Sequence, residues 1–194
     1  MGKGRLEAFS DGVLAILITI MVLEMKVPHS GEWEALKPVL PVFLSYILSF
    51  VYIGIYWSNH HHMMQVVHHV NGPVLWANLH LLFWLSLIPF ASGWLGENHF
   101  STFPMALYGV ILLMNGVAYF ILARLLVRLH GKDSLLGKAV GKDRKGIISV
   151  VIYAIAIPFC FVNAWISLSL YTLVAAIWII PDRRIEDKLE HEMD

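Results

Sequence analysis

Asp11 is the residue whose chemistry most needs explaining. It lies within an apolar run that begins Arg5-Leu6-Glu7-Ala8-Phe9-Ser10-Asp11-Gly12 and continues through Ile16, Thr19 and Ile20 to Leu23. A carboxylate in hydrocarbon is costly and marks a functional site by default. Histidines are the second notable group. His60, His61, His62, His68 and His69 gather where a second apolar run ends, and His80 lies inside a third. An intramembrane carboxylate with an imidazole suggests a proton-coupled secondary transporter built on Asp11 and His80. Clustered imidazoles suggest a membrane metalloenzyme. Histidine-based membrane oxygenases spread several boxes over the chain, whereas this chain has one cluster plus His80, so no metal site is expected. Cys160 is the sole cysteine, which excludes an intrachain disulfide and a cysteine cage.

These residues must be positioned by membrane-spanning helices. Of 194 residues, 58% are hydrophobic and only 14% are charged, with a mean hydropathy of +0.67. Soluble domains carry about 25% charged residues. The formal net charge is zero, which gives no field for nucleic acid. Spans of ~20 apolar residues fall at about 8–25, 38–58, 73–95, 104–127, 146–162 and 164–181. The first follows Lys3 and Arg5 as a signal peptide would, but Glu7 and Asp11 interrupt it and no small-residue cleavage site follows, so it is expected to be retained. The last two share one long apolar stretch with basic residues at both ends, which requires a hairpin, and Pro158 and Asn163 mark its turn. The expected fold is an all-α polytopic membrane protein of six helices, one domain over residues 1–194, in the cell membrane. The segment 129–145 is rich in Gly and Lys, and the tail after Pro181 reads as a solvated helix end.

Charge orients the bundle. With both termini cytoplasmic, Lys3, Arg5, Arg124, Arg128, Lys132, Lys138, Lys142, Arg144, Lys145, Arg183, Arg184 and Lys188 all fall inside, and only Lys26 and Lys37 fall outside. The positive-inside rule selects that orientation. Asp11, the Trp57-Ser58-Asn59-His60-His61 run and the start of the third span with Asn78 then share one leaflet. Trp57, Asn59 and the histidines offer N–H donors. Asp11 and Ser10 are therefore expected to bond this group and fix the rotation of the first helix.

At about 100° per residue, and with Arg5 at zero, Phe9, Gly12, Ile16, Thr19, Ile20 and Leu23 form one stripe within about 60° of it. Ser10 falls near ~140° and Asp11 near ~240°. Asp11 is off the stripe, which is apolar except for Thr19. Periodicity alone leaves that stripe facing lipid, a neighbouring helix or a pore.

Arg5-x-x-x-Phe9-Ser10-Asp11 with its apolar continuation, together with Tyr52-Ile53-Gly54-Ile55-Tyr56-Trp57-Ser58-Asn59-His60-His61, resembles the first- and second-helix motifs of the transmembrane protein 175 family of potassium channels. The similarity extends over the chain as one six-helix repeat of the prokaryotic kind. Gly12 stands where many relatives have Ala. The resemblance implies a homotetramer in the lipid bilayer whose first helices line a central pore, and potassium as permeant ion without a cofactor or a Thr-Val-Gly-Tyr-Gly filter. It also implies a hydrophobic constriction at Ile16, Ile20 and Leu23 with Thr19 beside it, and a structural network of Arg5, Phe9, Ser10 and Asp11 with Trp57, Asn59, His60 and His61.

Overall fold

The computed structural model describes residues 2–140 and 144–179, and the regular structure among them is helical. Helix α1 is Gly4–Leu23; a 3-10 helix, Trp33–Val39, leads into α2, Leu40–Gln65; α3 is Gly72–Ser86; α4 is Ile88–Glu97; α5 is Thr102–His130; α6 is Leu135–Val140; α7 is Arg144–Phe159; and α8 is Ala164–Ile179. The tail after Pro181, with Arg183, Arg184 and Lys188, and also Lys142, lie outside the described residues.

Four helical stretches are long and apolar enough to cross a bilayer: Gly4–Leu23, Trp33–Gln65, Gly72–Glu97 and Thr102–His130. They coincide with the first four expected spans. Helices α7 and α8 are apolar but have 16 residues each, short of the ~20 that cross hydrocarbon without help. Their connection is a tight turn in which Asn163 N–H donates to Phe159 O at 2.9 Å and the Asn163 side chain accepts from Trp165 N–H at 2.9 Å. Ser167 Oγ then donates to Ala156 O at 2.7 Å, which clips α8 to α7.

The third span, expected to be continuous over 73–95, is broken at Leu87 into α3 and α4. Pro89 lacks an N–H and its ring collides with the carbonyl one turn earlier, so the ladder is interrupted there. Asn115 of α5, fully buried, reaches the loosened segment by donating to Trp84 O at 3.4 Å. Trp84 O also accepts from Leu87 N–H at 3.2 Å, so the amide adds a second donor at the break.

Helix α5 is the central post, packed against α3, α4, α7 and α8, while α1 packs on α2, α3 and α4. Two glycines set close approaches between helices. A Cβ on Gly109 would lie 1.9 Å from the Tyr171 hydroxyl, and one on Gly96 would lie 2.5 Å from Val42 Cα. Close backbone approach through small residues is the usual packing solution in lipid, where no hydrophobic force joins helices. Buried hydroxyls add specific links. Ser49 and Tyr108 meet at 2.9 Å, Tyr52 donates to Tyr171 O at 2.6 Å, and Tyr153 donates to the Tyr52 hydroxyl at 3.2 Å.

Candidate functional site

The two sides of α1 have different surroundings. Leu6, Ser10, Leu14, Leu17 and Met21 are buried. Taking Arg5 as zero again, they fall between about 100° and 180° around the helix. The opposite side is open: Ile16 is 57% exposed, Ile20 40% and Leu23 80%. Gly12 and Thr19 are exposed with them, and a Cβ on Gly12 would meet nothing within 4 Å. The Thr19 hydroxyl donates to the carbonyl of Ile16 at 2.9 Å, so its lone pairs remain turned outward. A single chain thus leaves an apolar stripe two turns long uncovered, with one hydroxyl, that of Thr19, beside it.

The packed side holds a polar chain of contacts where α1, α2 and α3 meet. Ser10 Oγ donates to Leu6 O at 2.8 Å and accepts from Asn78 Nδ2 at 2.9 Å. The other end of the Asn78 amide, Oδ1, lies 2.8 Å from His60 Nε2. All three side chains are at most 3% exposed. Because the amide nitrogen donates to Ser10, its oxygen must accept, so His60 carries its proton on Nε2. Ser10 Oγ, both ends of the Asn78 amide and His60 Nε2 are each engaged, which is how polar groups survive in an apolar interior.

Asp11 sits at the border between these sides. Trp57 Nε1 donates to its Oδ1 at 3.1 Å. The carboxylate is exposed in the single chain, so the indole orients it and does not rescue it from burial. His61 stacks on Trp57, centroids 5.9 Å apart, and its Nε2 lies 3.0 Å from Gln65 Nε2. Asn59, expected to serve Asp11, instead donates to Ile55 O at 2.8 Å, while its own carbonyl accepts from Tyr119 OH at 3.3 Å. It joins α2 to α5. Arg5 and Phe9 are exposed on the stripe side, and the contacts that the resemblance implies for them do not form within one chain among the described residues.

Lys3 is more than an orienting charge, because its ammonium donates to the carbonyls of Met64 and Gln65. This cation at the end of α2 answers orphan carbonyls and the negative end of the helix dipole. Nothing in residue type or spacing distinguishes it from any other cytoplasmic-flank lysine. Asn78 is the other unassigned residue, and an amide within the third apolar run was its signal.

The histidines fall into different contacts: His61 lies against His62, His130 against both His68 and His69, and His80 against Trp84. His80 accepts from Trp84 Nε1 at 3.0 Å, away from Asp11. His130 Nε2 accepts from the His68 backbone N–H at 3.2 Å, and its ring lies 4.8 Å from that of His69. Among the described residues, no three His, Cys, Asp or Glu side chains converge as a metal site.

Comparison with known proteins identifies the group. A potassium channel of Chryseobacterium sp. is 55% identical over 190 residues, 98% of this chain and 99% of that one. The chain belongs to the TMEM175 family. Residues 5–89, from α1 into α4, match the family described as endosomal/lysosomal potassium channel TMEM175. A potassium channel of Chamaesiphon minutus is 29% identical over 189 residues, covering 89% of this chain and 91% of that one. The crystal structure of a lysosomal potassium-selective channel TMEM175 homolog from the same organism superposes with a TM-score of 0.77 at 26% identity, over 93% of this chain and 97% of that one. A zebrafish relative named endosomal/lysosomal proton channel TMEM175 is 25% identical over 132 residues. That match spans 66% of this chain but 24% of the fish protein. TMEM175 relatives are ion channels and not enzymes, and the apolar helices make this member a multi-pass membrane protein.

Proposed function

We propose that this chain is the subunit of a potassium channel in the cell membrane, with six spans in a single domain, both termini cytoplasmic, and four copies surrounding a pore lined by α1. The observation that carries the proposal is the uncovered stripe of Ile16, Thr19, Ile20 and Leu23 on a helix whose opposite side is packed. The family, and the bacterial relatives named potassium channels, support it.

The residue types define the mechanism. Rings of Ile16, Ile20 and Leu23 form a narrow apolar throat, which blocks ions by dewetting and conducts when it widens. The throat supplies no strong ligands, so an ion passing it sheds water with little replacement. Potassium holds its water less tightly than sodium, so the barrier is lower for potassium and selectivity is moderate. Thr19 oxygens ease the passage. No Thr-Val-Gly-Tyr-Gly filter is needed, and Tyr108-Gly109-Val110 is not one. Asp11 at the border and the Ser10–Asn78–His60 contacts on the packed side hold the rotation of α1 and take no part in conduction.

The test is a reversal potential measured on reconstituted protein under a potassium–sodium gradient. A passive current with a moderate shift toward the potassium equilibrium is expected. Uptake that saturates and couples to protons, without electrogenic potassium flux, would favour a carrier using Asp11 and His80. Animal relatives are named proton channels, so the same recording under a pH gradient reports whether protons share the pore.

A further inference from the structure

The bundle contains a cavity that the pore does not use. It lies between α2, α5, α7 and α8, with a volume of about 290 Å³. Tyr52 and Tyr153 line one end, and Gly146 and Trp178 line the other. From Gly146 to Tyr153 along α7 is about 10 Å. Gly116 of α5 lines the space, and a Cβ there would stand 3.9 Å from Val150 and 4.0 Å from the Tyr56 hydroxyl, so a side chain built on it would enter the cavity.

The polar atoms of the wall are mostly engaged. Trp178 Nε1 donates to Ser149 Oγ at 2.8 Å, which donates to Lys145 O at 2.8 Å. Tyr153 donates to Tyr52, and Asn59 to Ile55 O. Such a lining suits hydrocarbon and offers little to an ion or a polar solute. Its rim is different. The Arg124 guanidinium sits 4.8 Å from the centroid of Phe120, and the Lys145 ammonium 5.9 Å from that of Trp178. Both aromatic rings line the cavity, so each of these walls has a cation beside it. That is the end of the bundle where α1 begins and α2 and α5 finish.

We propose that this cavity binds an anionic phospholipid of the surrounding leaflet, part of one acyl chain in the cavity and its phosphate met by Arg124 and Lys145. The apolar wall takes the chain, and the paired rim cations select the charge of the head. Basic side chains at the membrane surface favour anionic lipid in this way. The occupant touches none of the α1 stripe, so binding and conduction are separately measurable.

The experiment is native mass spectrometry of the full-length assembly in mild detergent with equimolar phosphatidylglycerol and phosphatidylcholine. Wild type is expected to retain phosphatidylglycerol about tenfold better. Arg124→Gln combined with Lys145→Gln leaves the apolar wall intact and is expected to bring the ratio near unity. Gly116→Leu, which fills the cavity, is expected to weaken capture of both lipids by about tenfold. Equal retention of the two lipids by wild type would overturn the proposal, as would phosphatidylglycerol capture that survives Gly116→Leu unchanged. Oleate displacing phosphatidylglycerol at equal concentration would overturn the choice of a phospholipid over a free fatty acid.

Discussion

The two sides of α1 invert the pattern of a soluble amphipathic helix. Its packed side carries Ser10, fully buried and bonded to Asn78, while its open side carries Ile16, Ile20 and Leu23. In water the polar side would face out. In a bilayer, apolar surface is freely available and specifies nothing, so contacts that must be unique are made with polar atoms. The apolar side is then free for a role in which weak interaction is itself useful. A throat that gives an ion no ligand can act as a gate because it is inert.

The largest expected effect comes from making the open side polar. Ile16→Asn places amides in the throat, keeps it wet and raises cation leak, sodium included. A barrier lowered by about 1.4 kcal/mol corresponds to a tenfold rise in flux. Planar-bilayer currents of Ile16→Asn that match wild type in size and in potassium-to-sodium ratio would remove Ile16 from the pore. The packed side predicts the reverse pattern. Asn78→Ala leaves Ser10 and His60 without their shared partner in a buried site, which costs about 1–3 kcal/mol. A clear fall in the melting temperature of the solubilised protein is expected, without the sodium leak of Ile16→Asn. An unchanged melting curve would show that the amide is dispensable and that apolar packing alone sets the rotation of α1.

How much of this was legible beforehand depended on which neighbours a residue has. The stripe was visible because helical arithmetic needs only the chain itself, and the same arithmetic put Asp11 off it. The break at Leu87 was harder to see. A proline such as Pro89 inside an apolar run can kink a span or pass through it, and the choice depends on neighbours such as Asn115, which donates to Trp84 O beside the break. Asn59 shows the same limit. Its position beside Trp57 suggested Asp11 as acceptor, but the side chain found a carbonyl one turn back on its own helix, a partner always within reach. The histidines looked like one cluster because they are close in sequence. Tertiary contacts separate them, and His130, which meets His68 and His69, is 62 residues from His68.

Between the two sides lies Asp11, where a smaller effect is expected. Trp57→Phe removes the indole N–H but keeps an aromatic ring against His61. The bond it deletes is solvent-accessible in the single chain, so the loss is about 1 kcal/mol or less. The melting temperature should fall by less than for Asn78→Ala. A fall as large as that of Asn78→Ala would mean that assembly buries Asp11, which would move it from the border of α1 into an interface. Asp11→Ala checks the same point in conduction, because a normal assembly with normal currents would end its role as a tether.

The smallest effect on stability is expected at Thr19, the polar exception on the open side. Its hydroxyl is tied to the Ile16 carbonyl of its own helix at 2.9 Å and links no second helix. Thr19→Val keeps the β-branch, deletes that bond and leaves the surroundings of the packed side untouched. Surface changes of this kind stay within about 0.5 kcal/mol, so the melting temperature should hold. On the proposed pore, conductance should fall modestly, because the hydroxyl oxygens that would replace part of the ion's water are gone. If the melting temperature instead dropped as far as it does for Asn78→Ala, Thr19 would belong to a packed contact between copies. The stripe would then be an interface, and the pore would have to be sought on another face of the bundle.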